Sequence, residues 1–126
     1  EDMTADLDRI IASAPLHKSH SDYGFTEPIK YYNLNPGISE ARFLNINNNN
    51  LSFLVSSLGY DTIQRPEAKS INVFNYDLIS NRTSLVKKYK INERVRDIAL
   101  DSLKKKIFFM GESTGIIGFF NLYKIN

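Results

Sequence analysis

The spacing of hydrophobic positions changes once along this chain. Leu7, Ile10, Ile11 and Ala14 recur at helical intervals, Thr4 can cap the segment, and Asp6 and Asp8 sit in a first turn where negative charge suits the helix dipole. Pro15 stops it, so a short N-terminal helix is expected, followed by a polar, turn-rich lead-in to Thr26 with Gly24 as punctuation. Beyond that the period falls to two. Strands are expected at 29–33, 41–46, 51–58, 70–78, 84–91, 95–100, 106–110 and 116–123. All are short, rich in Ile, Val, Phe and Tyr, and separated by Asn, Gly, Asp and Ser. Such a run of strands predicts an all-β sandwich, barrel or propeller.

An internal comparison favours the propeller. RFLNI (42–46), a polar turn and SFLVSS (52–57) resemble RDIAL (96–100), a polar turn and KIFFMG (106–111), and each pair is followed by a further strand. The offset is near the ~40–50 residues of a four-stranded propeller blade once loop insertions are allowed. A duplicated hairpin in a sandwich would give a similar pattern. Two blades close no ring, so on the propeller reading most of the domain lies elsewhere, and a start at Glu1 reads as a processed, trimmed or partial product.

Composition narrows the function classes. Hydrophobic residues make up 42% of the 126 and charged residues 24%, which is globular rather than disordered. A net charge of +2 argues for neither a nucleic-acid nor a membrane partner, and no apolar run reaches the ~18 residues of a membrane span. The chain has no Cys, which removes disulfide scaffolds, thiolate zinc sites and cysteine nucleophiles.

From Ser19 onward four segments occur in a familiar order: SHSDYGFTEPI (19–29), NPGISE (35–40), FLVSSL (53–58), and ERVRDI (93–98) followed by IFFM (107–110). Together they cover about 100 residues and resemble the C-terminal third of the soluble aldose sugar dehydrogenases that use pyrroloquinoline quinone, PQQ (the glucose/sorbosone dehydrogenase family). The resemblance implies a six-bladed β-propeller, of which residues 27–126 would form the last two blades or so and 1–26 a helix and lead-in loop. It implies oxidation of an aldose at its anomeric carbon with hydride passing to PQQ, a calcium ion, and a periplasmic or secreted location. The catalytic histidine and the calcium ligands would lie outside this chain, leaving it inactive alone.

The resemblance nominates Arg94, Arg96 and Asn35 as cofactor-binding residues. Two guanidinium groups two apart on a strand would share a face, with Val95 and Asp97 on the other, and paired forks suit a tricarboxylate cofactor. Solvent, or Glu93, Asp97 or Asp101, could equally take them up. Asn35, between Leu34 and Pro36, is also ordinary turn chemistry. Gly59 departs from the family, which often carries Lys after Ser-Ser-Leu; Arg65 or Lys69 would have to supply that charge here. His17 and His20 fall in the polar lead-in and read as solvated. Asn47 to Asn50 reads as a turn between strands, and the lysines at 104–106 as a solvated tip.

Two other functions fit the same residues. One is a non-catalytic propeller module that binds protein or glycan ligands; the other is a self-standing β-sandwich. If the chain is two blades alone, ~400 Å² of bare apolar flank at ~25 cal/mol/Å² would forfeit about 10 kcal/mol, as much as a typical domain's net stability. Self-association, or pairing with missing blades, is then expected.

Overall fold

The computed structural model describes residues 20–32, 34–59, 62–101, 103 and 105–122. The expected helix falls outside them, as do His17, Asn33, Asp61 and Lys104. Seven strands form: β1 (Ile38–Asn47), β2 (Asn50–Ser57), β3 (Ser70–Asp77), β4 (Arg82–Lys90), β5 (Val95–Asp101), β6 (Lys106–Gly111) and β7 (Ile116–Asn121). A single 3-10 turn, Ser21–Tyr23, precedes them. No helix among the described residues is long and apolar enough to cross a membrane.

The strands make two antiparallel meanders, β1-β2-β3-β4 and β5-β6-β7, and neither sheet closes on itself. Of the strand expected at 29–33, the described residues 29–32 form none. Residues 29–32 pair with no strand; instead Thr83 Oγ1 donates to the Ile29 carbonyl, which tethers the segment over the sheet's outer strand. The other seven expected strands are present within a few residues of their predicted ends. Tight connections rely on residues that tolerate left-handed backbone: Asn48 (φ 52°) in the β1–β2 turn, Asn81 (φ 54°) before β4 and Asn92 (φ 62°) before β5.

The sheets stack face to face. Leu54, Ile71 and Val73 of the first meet Val95, Ile98 and Ile107 of the second, all fully or almost fully buried. Tyr89 and Phe120 link the far strands, with ring centroids 4.4 Å apart. At the near edge, side chain to main chain bonds join the two first strands: Arg42 Nε donates to the Ile98 carbonyl (3.1 Å), and Ser39 Oγ donates to that of Val95. Gly118 is required here, because a Cβ would lie 2.4 Å from the Phe109 ring that packs into the core.

The two outer faces differ. On the first sheet, Phe53, Val55 and Phe74 are buried beneath Tyr32, which meets Phe74 edge-on at 6.4 Å. On the second, Phe108, Met110, Ile117 and Phe119 stand 37–76% exposed. Both faces of that sheet are therefore apolar, and among the described residues nothing packs over the outer one.

Candidate functional site

β5 starts at Val95, so Arg94 sits just before the strand. The ladder to β6 passes from Val95↔Gly111 to Asp97↔Met110, leaving Arg96 as the extra residue of a bulge. A bulge re-aims the side chains around it. The two arginines do share a side, but Val95 and Asp97 do not: Val95 is in the intersheet core, whereas Asp97 lines a shallow depression on the outer face with Ala99, Phe108 and Met110. The expectation from a regular strand is corrected on this point.

What the arginines share is one carboxylate. Glu112, at the end of β6, places Oε1 2.8 Å from Arg96 Nη2 and 3.4 Å from Arg94 Nη1. The Glu112 N–H donates to the Arg94 carbonyl (2.8 Å), which fixes the acid beside the pair. Glu93 is committed elsewhere, accepting from the Ser113 N–H (3.1 Å) and the Thr114 hydroxyl (3.0 Å). Arg94 is the more enclosed of the two, its side chain 22% exposed against 58% for Arg96. Its Nε donates to the Leu58 carbonyl at 2.9 Å, tying the second sheet to the end of the first.

Asn35 belongs to the same corner. Its Oδ1 accepts from the Gly37 N–H (2.8 Å), a two-residue side-chain turn. The loop it shapes pairs with the end of β2: Leu58 N–H donates to the Gly37 carbonyl (2.7 Å) and Gly59 N–H to that of Pro36 (2.8 Å). The segment at Leu58 thus holds the Asn35 loop with its amide and Arg94 with its carbonyl. Gly59 cannot be another residue without movement, since a Cβ would lie 2.4 Å from the Pro36 oxygen and 3.0 Å from Ala68 Cβ. Close backbone approach accounts for glycine at this position.

Glu27 and Tyr31 form a separate exposed cluster beside His20. Tyr31 OH donates to Glu27 Oε2, the Ser21 N–H donates to Oε1 (2.7 Å), and His20 Nδ1 lies 3.8 Å from Oε2. The Tyr31 hydroxyl, followed by the Ser21 amide, holds the Glu27 carboxyl down at about 2. A 380 Å³ cleft opens nearby, lined by Lys30, Tyr31, Tyr32, Leu34, Gln64, Pro66 and Glu67. Burial, with Glu67 adding to it, pushes the Tyr32 hydroxyl up to about 12. Among the described residues, no three acidic or imidazole groups gather where one metal ion could be held.

Sequence reasoning missed Glu112 as the arginines' common partner. Its signal was weak, because the pairing depends on β6 lying antiparallel to β5 rather than on any local spacing. Comparison with described protein families, curated proteins and solved structures finds no match to this chain.

Proposed function

We propose that the chain supplies two adjoining blades of a β-propeller and acts as a non-catalytic binding and stacking module. One observation carries this reading: the second sheet is apolar on both faces, and among the described residues only one of them is covered. A sheet at the surface of a sandwich needs one apolar face; a sheet within a stack needs two. Phe108 follows Leu54 by the internal offset of the two meanders. Leu54 is fully buried where the sheets meet, and Phe108 faces outward as though awaiting the next sheet. The candidate polar residues support the same reading, being engaged within the fold.

Sedimentation of the chain across a range of concentrations tests this. Concentration-dependent association is expected, and Phe108→Glu should suppress it while leaving the intersheet core intact. A wild-type chain that stays monomeric at high concentration with a cooperative melt would overturn the reading.

A second reading, the PQQ-dependent aldose dehydrogenase portion, draws on the meeting of Arg94, Arg96 and the Asn35 loop at one corner. The fit is poor as the side chains stand. Glu112 occupies the arginines as a cofactor carboxylate would, Arg94 Nε is spent on Leu58, and Gly59 leaves no room for a lysine. PQQ with calcium, titrated into the wild-type chain and an Arg94→Ala, Arg96→Ala variant, separates the readings. Saturable binding lost in the variant would favour the dehydrogenase; equal titrations would remove it.

A further inference from the structure

We propose that β7 is an open docking edge that pairs, antiparallel, with β7 of a second copy of this chain, joining two three-stranded sheets into one of six strands. A sheet edge exposes unpaired main-chain groups, and proteins usually blunt it with charges, bulges or covering side chains. Four strands lie at edges here: β1 and β4 in the first sheet, β5 and β7 in the second. Three of them are blunted.

β4 carries Arg82, Lys87, Lys88 and Lys90, so two copies of it would set cations against cations. β1 carries Glu40 and Arg42, and its ladder to β2 is interrupted twice. β5 is bulged at Arg96, and its Val95 and Ile98 carbonyls already accept from Ser39 Oγ and Arg42 Nε of the first sheet. β7 has none of these devices. Its residues, Ile116–Asn121, include no charge and no proline, and its pairing with β6 runs without a shift. Among the described residues no strand lies on its far side.

The ladder to β6 fixes which groups are open. Leu122 N–H donates to the Lys105 carbonyl (2.7 Å), and alternation along an antiparallel pair then turns the main-chain groups of Ile116, Gly118 and Phe120 towards β6. Those of Ile117, Phe119 and Asn121 point to the edge. An antiparallel copy matches this set one for one. Centred on Phe119, the pairing sets that residue against its counterpart and Ile117 against the partner's Asn121, each N–H facing a carbonyl. No charge is buried, and Ile117 and Phe119, 76% and 58% exposed, gain apolar neighbours. The charged strands β1, β4 and β5 would gain the same main-chain bonds but leave their charges beside this apolar row. That favours β7 itself as the occupant.

The pairing is independent of face stacking, and the two can fail separately. Amide hydrogen exchange of the full chain, followed by NMR at low and high concentration, tests it. At high concentration the Ile117, Phe119 and Asn121 amides should slow by about tenfold, as when nine-tenths of the chains are paired. The Gly118 and Phe120 amides, bonded to β6, should be slow throughout. Asn121→Pro removes an outward N–H and no bond to β6, so it should abolish the slowing at Ile117 and Phe119 while Gly118 and Phe120 stay slow. Phe108→Glu, on the middle strand's outer face, should stop larger assemblies and leave the alternate slowing in place. Slowing kept in Asn121→Pro but lost in Phe108→Glu would assign association to the face and overturn the pairing. Edge amides that exchange fast at every concentration would also overturn it. So would edge amides already slow in the dilute chain, where another segment of the same chain would be covering them.

Discussion

The two sheets have similar strands and the same antiparallel order, yet the centre of the first sheet's outer face is covered, with Phe43 and Leu85 beside it 54% and 45% exposed, whereas the second sheet's outer face has no such cover among the described residues. The first sheet's outer aromatics, Phe53 and Phe74, stack at 5.5 Å and are roofed by Tyr32 from the lead-in segment. The second sheet's outer aromatics, Phe108 and Phe119, lie 5.7 Å apart with no such roof among the described residues. Strand quality is therefore not what separates them. A local segment covers the middle of one sheet, whereas the other presents its apolar side outward, and that contrast is what the proposed stacking draws on.

The largest expected difference comes from truncating equivalent positions. Leu54→Ala removes a fully buried side chain between the sheets and should cost about 2–5 kcal/mol in chemical denaturation. Phe108→Ala removes a ring that is 37% exposed in the isolated chain. Its cost should fall well below that of Leu54→Ala, although a buried Phe→Ala change typically costs ~3–5 kcal/mol. Equal costs would mean that Phe108 is already covered in solution, with the association partner in place.

A smaller effect distinguishes the two arginines. Arg94 bonds a main-chain carbonyl of the first sheet from an enclosed position, so Arg94→Met should destabilise by about 1–3 kcal/mol. Arg96, more than half exposed, makes a surface ion pair, and Arg96→Met should cost about 0–1 kcal/mol. Thermal melts of both variants at low and high salt check this, with the Arg96 effect vanishing in salt. If the costs were reversed, the ion pair to Glu112 within the second sheet would contribute more than the bond from Arg94 to Leu58 of the first.

Much of this contrast was readable from residue order, and some was not. Short runs rich in Ile, Val, Phe and Tyr between Asn, Gly, Asp and Ser located seven strands, although β2 and β3 are buried continuously rather than alternately. The same signal failed at 29–32, where Ile29, Tyr31 and Tyr32 have the composition of a strand but Tyr32 packs on Phe74 and the Ile29 carbonyl is held by Thr83 instead of by a neighbouring strand. Asn35 was legible as a turn, because its side chain bonds its own backbone two residues on. Arg94 and Arg96 were legible as sharing a side, although the bulge that moves Asp97 is invisible to simple alternation. Glu112 and the open edge of β7 depend on contacts between segments far apart in sequence. Only the uncharged run of β7 left a local trace.

The smallest effect concerns the roof itself. Glu27 anchors the lead-in segment through Ser21 and Tyr31, a few residues before Tyr32 reaches Phe74. Its carboxyl is held at about 2 in the folded chain against an ordinary 4.5. A depressed carboxyl contributes stability that is full above its unfolded value and lost as pH falls towards the folded one. The anchor should therefore weaken from about pH 4.5 down to about 2, and be unchanged above that window. Because Glu27 is exposed, loosening of the segment is expected rather than global unfolding. Ser21 amide and Tyr31 ring signals followed by NMR should move across this window in the wild type and stay flat in Glu27→Gln. Asp77 also titrates low, through the Ser80 and Ile79 amides, but it ends β3 at the turn into β4 and would report there in both proteins. If Tyr32 and Phe74 signals shift together with Tyr31 in the wild type alone, acid is lifting the roof and making the first sheet's outer face resemble the second's. If only Tyr31 moves, the Tyr32–Phe74 contact holds without the anchor, and the cover of the first sheet is a property of its aromatic packing.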